Sequence, residues 1–181
     1  MLENLKHVYS KLDGGLCIDS ETAALFRVND PDIGTSYIHR TACTDEEEKK
    51  MFIVHNSNKR VYLIAIDKCL IQEEGVRTCD FALFDDRTFA FVELKLNVTT
   101  SRLKNADDTR ESALNQLNRT LIRFNSDFII KGFEFNYPNI YLIVAMPPET
   151  PRDKSSSKKI ADFFLEKYGY EYEEARQIRF D

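Results

Sequence analysis

The stretch Phe89-Ala90-Phe91-Val92-Glu93-Leu94-Lys95-Leu96 decides how the rest of the chain is read. Side chains alternate along a strand, so Glu93 and Lys95 share a face with Phe89 and Phe91, while Val92, Leu94 and Leu96 take the other. A solvent-facing strand would carry such an acid–base pair at little cost. Here both faces are apolar, and a buried charge is unfavourable unless it is paired or bound to an ion. The preceding apolar run repeats the anomaly in Cys79-Asp80-Phe81-Ala82. A hairpin turning at Asp85-Asp86-Arg87 brings Asp80 to the height of Glu93 and Lys95. Two carboxylates converging at a strand end make a hard-oxygen site suited to Mg²⁺, with Mn²⁺ able to substitute. A lysine beside them can orient a water or balance negative charge on a phosphate.

Working outward, Val61 to Ile71 reads as a buried β-branched and aromatic strand, Gln72 to Gly75 as a turn, and Arg77 to Asp85 as a second strand. The short connections predict antiparallel neighbours. Asp107 to Asn125 is predicted as a helix whose Leu114, Leu117, Leu121 and Phe124 line one face. Gly132 to Pro138 is a loop or short edge strand. Asn139 to Met146 is an apolar strand ended by Pro147-Pro148, and a helix between the third and fourth strands implies a right-handed crossover. Ser155 to Tyr168 is predicted as a second amphipathic helix with Ile160, Phe163, Phe164 and Tyr168 inward.

Before this core, Asp19 to Phe26 suggests a short capped helix and Asn29-Asp30-Pro31-Asp32 a turn. Thr44-Asp45-Glu46-Glu47 has the form of a capping box. Met51 to His55 is either the end of that helix or a strand paired, through a turn at Asn56 to Lys59, with the strand from Val61. The expected fold class is α/β, a mixed sheet in three layers flanked by helices. The expected organisation is one domain over 1–181, with an N-terminal elaboration (1–59), a core (60–146) and a C-terminal loop and helix (147–181).

Composition narrows the function. With 181 residues, 43% of them hydrophobic and 30% charged, the chain suits one soluble domain. Thirty acidic against 25 basic residues, a net charge of −5, argue against coating nucleic acid by bulk charge, though not against a local basic groove. The longest apolar run, Ile140 to Met146, is too short to span a bilayer, so no membrane role is expected. Cys17, Cys43, Cys69 and Cys79 contain no C-x-x-C pair, which favours reduced thiols in a cytoplasmic protein over a disulfide framework or structural zinc. His7, His39 and His55 lack ligand spacing.

Asp80, twelve intervening residues and then Glu93-Leu94-Lys95, set on successive strands, resemble the PD-(D/E)xK nuclease superfamily. The resemblance covers Val61 to Met146 and implies a restriction-endonuclease-like αβββαβ core. It implies metal-dependent hydrolysis of phosphodiester bonds, in DNA above RNA. Asp80, Glu93 and the Leu94 carbonyl would hold Mg²⁺, Lys95 would act on the attacking water, and Gln116 matches the glutamine that some of these families carry on the following helix. Cys79 stands where a proline often precedes the aspartate. The acidic residue of the first core helix has three candidates, Glu46, Glu47 and Glu48. So small a chain would take its specificity from DNA structure, from a homodimer or from a protein partner. Arg119 and Arg123, with Arg152, Lys154, Lys158 and Lys159, are either phosphate contacts or solvated surface. The rival expectation is a catalytically inactive relative, acting as a binding or immunity module in bacterial defence.

Overall fold

The computed structural model describes residues 1–97, 103–151, 162, 165, 166, 169, 170 and 172–181. The N-terminal elements are α1 (Leu2–Val8), α2 (Ser10–Asp13), β1 (Ile18–Glu21), β2 (Leu25–Asn29), β3 (Tyr37–His39), α3 (Asp45–Glu48) and β4 (Phe52–Asn56). Next along the chain come β5 (Val61–Ala65), β6 (Phe81–Phe84), β7 (Thr88–Leu94), α4 (Leu103–Ile130), β8 (Asn139–Ala145), β9 (Tyr172–Glu174) and β10 (Gln177–Phe180).

The meander β5–β6–β7 is antiparallel, and β8 returns parallel to β7 after the long helix α4. With β1 and β9 at its edges this makes a six-stranded mixed sheet, ordered β1-β5-β6-β7-β8-β9. A second, four-stranded mixed sheet has the order β10-β4-β2-β3. The fold is mixed α/β, but the layers are not those expected. One face of the large sheet, through Ala82, Phe84, Phe89, Phe91, Leu142 and Val144, packs on α1, α2 and α4. The alternate residues Phe81, Leu83, Ala90, Val92, Ile143 and Ala145 pack on Phe26, Val28, Phe52, Val54 and Phe180 of the second sheet. Helices therefore cover one face and a sheet covers the other. The predicted helix stripe Leu114, Leu117, Leu121 and Phe124 is buried against the first face.

The segments 1–59 and 147–181 supply both edges of the large sheet and the whole of the small one. Asp19 to Phe26 is not a helix. It spans β1, a turn and the start of β2, and the Glu21 carboxylate accepts from Thr22 and Ala23 N–H, a cap-like arrangement that closes a turn between strands. Pairing of β1 with β5 outweighs that local signal. Met51 to His55 is a strand, but β4 pairs with β2 and β10 and not with β5. Asn58, at φ 60°, and the bond from Asn56 Nδ2 to the Lys59 carbonyl (2.7 Å) turn the chain from one sheet into the other. The strand from Val61 stops at Ala65, and Lys68 at φ 59° bends the chain beyond it into a turn. The capping box at Thr44 forms as expected. The helix expected over Ser155 to Tyr168 lies largely outside the described residues.

Cys17 and Cys69 form a disulfide with Cα atoms 5.6 Å apart, against the expectation of reduced thiols. Cys17 leads into β1 and Cys69 lies beyond the end of β5, so the antiparallel pairing of the two strands brings them together although 52 positions separate them. Cys43 and Cys79 are free. Among the described residues no helix is long and apolar enough to cross a membrane.

Candidate functional site

The site lies where β6 begins and β7 ends. The register Phe81↔Val92, extended by one residue, sets Asp80 opposite Glu93 on the helix-covered face. Asp80 is held from several sides. Its Oδ2 accepts from Leu94 N–H (2.6 Å), and its carbonyl accepts from Ile66 N–H (2.9 Å) and Asp67 N–H (3.2 Å). The preceding Cys79 N–H donates to Thr120 Oγ1 (2.8 Å), whose own hydroxyl donates to the Gln116 carbonyl (2.9 Å). Strand and helix are thus locked at one height. The Lys95 N–H donates to the Ala145 carbonyl (2.7 Å), which ties the end of β7 to β8.

Glu93 is 1% exposed. Its Oε1 accepts from both Lys95 Nζ and Gln116 Nε2, while Oε2 is buried without any hydrogen-bond partner. Such an oxygen calls for a proton or a cation. Lys95 keeps a quarter of its side chain in solvent, at 25% exposure. The sequence motif therefore assembles: Asp80, Glu93, Lys95 and Gln116 meet at one end of the sheet.

A further carboxylate was not anticipated. Asp30, read only as part of a turn after β2, accepts from Ser36 Oγ (2.7 Å), and the same hydroxyl lies 3.4 Å from the Asp80 carbonyl. Nothing in the spacing of Asn29-Asp30-Pro31-Asp32 points to β6, because the contact depends on one sheet packing over the other. The three glutamates proposed for this role are engaged elsewhere. Glu46 pairs with Lys49, the Glu47 carboxylate accepts from Thr44 N–H, and Glu48 pairs with Arg27, all on or beside the short helix α3, which buries no residue.

Electrostatics mark the cluster. Burial first, then repulsion from Glu93 and Asp30, pushes the Asp80 carboxyl well above the usual carboxylate range, against the Leu94 N–H and Lys95. Burial lifts Glu93 to about 7, although Lys95 and Gln116 both pull it down and Asp30 adds to the rise. Asp30 is itself raised by burial, partly relieved by Ser36 and by Lys68 and Lys95, with Asp67 opposing. Neighbouring carboxylates that resist ionising together are characteristic of sites that hold a cation or move a proton.

Asp80 and Glu93 are the two carboxylates that a divalent cation could use as ligands. Among the described residues no group of three or more His, Cys, Asp or Glu is placed to hold a metal ion. A hydrated Mg²⁺ does not need such a group, since it keeps several waters and takes one or two carboxylates. The unpartnered Glu93 Oε2 and the neighbouring Asp80 carboxylate provide that donor chemistry. Comparison with protein-family models, with curated proteins and with solved structures finds no match to this chain.

Proposed function

We propose that the protein is a metal-dependent nuclease of PD-(D/E)xK type, hydrolysing phosphodiester bonds in DNA. One observation carries the reading: Asp80, Glu93, Lys95 and Gln116 converge, and the buried Glu93 is left with one oxygen unsatisfied. The succession β5–β6–β7–α4–β8, antiparallel and then parallel across a helix, supports a restriction-endonuclease-like core.

Asp80, Glu93 Oε2 and the Leu94 carbonyl are the groups to hold Mg²⁺ or Mn²⁺. When bound, the ion would lower the pKa of a coordinated water and offset the charge of the scissile phosphate. Gln116 fixes the Glu93 carboxylate through Oε1 and leaves Oε2 without a hydrogen-bond partner. Lys95, partly in solvent, can position the attacking water and stabilise charge on the phosphate. Asp30 adds negative potential that favours a dication over the free site. A cytoplasmic setting is part of the proposal, and the Cys17–Cys69 bridge is the feature that speaks against it. The bonds that fix Asp80 to Leu94, Ile66 and Asp67 do not involve the bridge, so activity should persist in reductant.

The test is cleavage of linear, branched and single-stranded DNA, and of RNA, with Mg²⁺ or Mn²⁺. Wild type should cut, and Glu93→Gln and Lys95→Met should not, with their melting temperatures retained. Divalent cation should raise the melting temperature of wild type by mass action and leave Asp80→Asn unchanged. Stabilisation by metal without cleavage of any substrate would instead favour the inactive binding or immunity module.

A further inference from the structure

Gln116, which holds Glu93, also lines a groove of about 430 Å³ along α4. The other lining residues are Asp108, Glu111, Ser112, Asn115 and Arg119 from the helix, and Arg77 from the segment leading into β6. The groove therefore shares a side chain with the candidate catalytic cluster and opens beside it. Its polarity is graded. Asp108 and Glu111 lie in the early turns of α4, and eleven residues at about 1.5 Å each separate Asp108 from Arg119. Arg119 sits one turn beyond Gln116, and Arg77 stands three residues before Asp80.

The arginines of this region divide by what they touch. Arg123 is committed to Asp127 (2.9 Å) and Glu73 (3.2 Å). Arg77 and Arg119 are exposed and make no ion pair among the described residues. A guanidinium with its donors free, in a groove that also offers the Ser112 hydroxyl and the Asn115 amide, matches the bidentate recognition of phosphate oxygens. The acidic end of the groove repels the same ligand.

We propose that Arg77 and Arg119 form a clamp for the phosphodiester backbone next to the scissile bond, with the strand crossing α4 at its Gln116–Arg119 turn and turned away from Asp108 and Glu111. This rests on the nuclease reading for its scissile bond, but the clamp is a binding site in its own right. Contacts of this kind position the strand without reading sequence.

The experiment measures binding of fluorescein-labelled single-stranded DNA, duplex DNA and RNA to the whole protein in chelator, so that nothing is cut, between about 50 and about 200 mM salt. Arg77→Ala with Arg119→Ala should weaken binding and reduce the slope of log K against log salt by about 2, one for each lost phosphate contact. Arg123→Ala should leave the slope unchanged, and Asp108→Asn with Glu111→Gln should tighten binding. With metal present, the arginine pair should raise KM while kcat holds. All these side chains reach solvent, and melting temperatures check that the variants fold. The clamp stands if wild type binds and the arginine pair loses slope, even when no metal supports cleavage, an outcome that would defeat the nuclease reading alone. It is overturned if wild type binds no nucleic acid, or if the arginine pair retains wild-type affinity, slope and KM. The three labelled probes tell which backbone is preferred.

Discussion

Glu93 and Glu174 lie in one row of the large sheet, on either side of Val144. Both are carboxylates on the helix-covered face, and α4 presents a partner to each. At the Glu174 end that partner is Arg110, fully buried, whose Nε donates to Oε2 (2.9 Å) and whose Nη2 reaches Oε1 (3.3 Å). Further Arg110 donors go to Asp107 (2.9 Å) and the Pro151 carbonyl (2.7 Å). At the Glu93 end the helix offers only a neutral amide, Lys95 comes from just beyond the same strand, and one oxygen stays bare. The first cluster is closed, its buried cation set between two carboxylates and a carbonyl. The second is open, with Asp80 and Asp30 adding charge of the wrong sign. A fold that needed only to bury a carboxylate already had the closed solution two strands away, so the open one is better explained by a ligand.

Exchanging each acid for its amide should separate the two most strongly. Glu174→Gln leaves the buried Arg110 with only the part-exposed Asp107 as counter-charge and should cost up to about 3–5 kcal/mol of stability, read by urea unfolding. Cleavage by whatever fraction remains folded should be near normal. Glu93→Gln should do the opposite. It should hold or raise the stability of the metal-free protein while lowering the cleavage rate by at least about 10²–10³-fold. If both variants lost stability alike, the Glu93 cluster would be structural too.

The next effect is in pH. The folded-state pKa of Glu93, about 7, lies above its ordinary value, and Asp80 is shifted in the same direction, both chiefly by burial. Raised carboxyl pKa values favour the protonated folded state. Their contribution is complete below the ordinary carboxylate value and is lost as pH rises through about 7. The metal-free protein should therefore lose roughly 2–3 kcal/mol between about pH 5 and about pH 8. Glu93→Gln should flatten that fall, and Mg²⁺ should reverse it increasingly with pH, because the ion and the proton compete for the same oxygens. A wild-type profile flat in chelator would remove the electrostatic case for the site.

The two ends of this row were not equally legible in the sequence. Asp80, Glu93, Lys95 and Gln116 could be read because period-two alternation exposes a charge inside an apolar strand, and the helix period places a glutamine beside an apolar stripe. The three central strands and α4 emerge from the same periodicities. Glu174 and Arg110 could not be paired by any local rule, since β9 is three residues long and its partner lies 64 positions away. The second sheet was hidden for the same reason: β2, β4 and β10 pair across long separations, and the Glu21 bonds that close a turn imitate a helix cap. Asp30 depends on that second sheet, and the Cys17–Cys69 bridge on the equally distant pairing of β1 with β5.

A smaller effect tests how the open end is held. Thr120 does for Asp80 what Arg110 does for Glu174, tying strand to helix, but with neutral groups. Thr120→Val keeps the shape and removes the acceptor for the buried Cys79 N–H, which should cost about 1–3 kcal/mol. Because Cys79 precedes Asp80, cleavage by the folded variant should also fall, whereas Thr120→Ser should restore both. Loss of stability with an undiminished rate would show that the clamp serves the core alone.

The smallest effect comes from a third cluster of the same chemistry, set in water. Arg40 grips Asp19 with two parallel bonds of 2.7 and 2.9 Å and reaches Glu21 at 3.1 Å, a better geometry than Arg110 makes with Glu174. Yet Arg40 is about half exposed, at 49%, so solvent already satisfies these groups in the unfolded chain and screens them in the folded one. Arg40→Gln should cost no more than about 1 kcal/mol, and less at high salt. The bond from Arg40 holds the Asp19 carboxyl below its usual range, and backbone bonds from Thr22 do the same for Glu21. The difference between wild type and Arg40→Gln should therefore be full above the ordinary carboxylate pKa and vanish as acid protonates both partners. Side by side, Arg40→Gln, Glu174→Gln and Glu93→Gln hold the chemistry nearly constant and vary burial and satisfaction. A cost at Arg40 as large as that at Glu174 would mean that burial is not what distinguishes these clusters, and the inference from the bare oxygen of Glu93 would lose its footing.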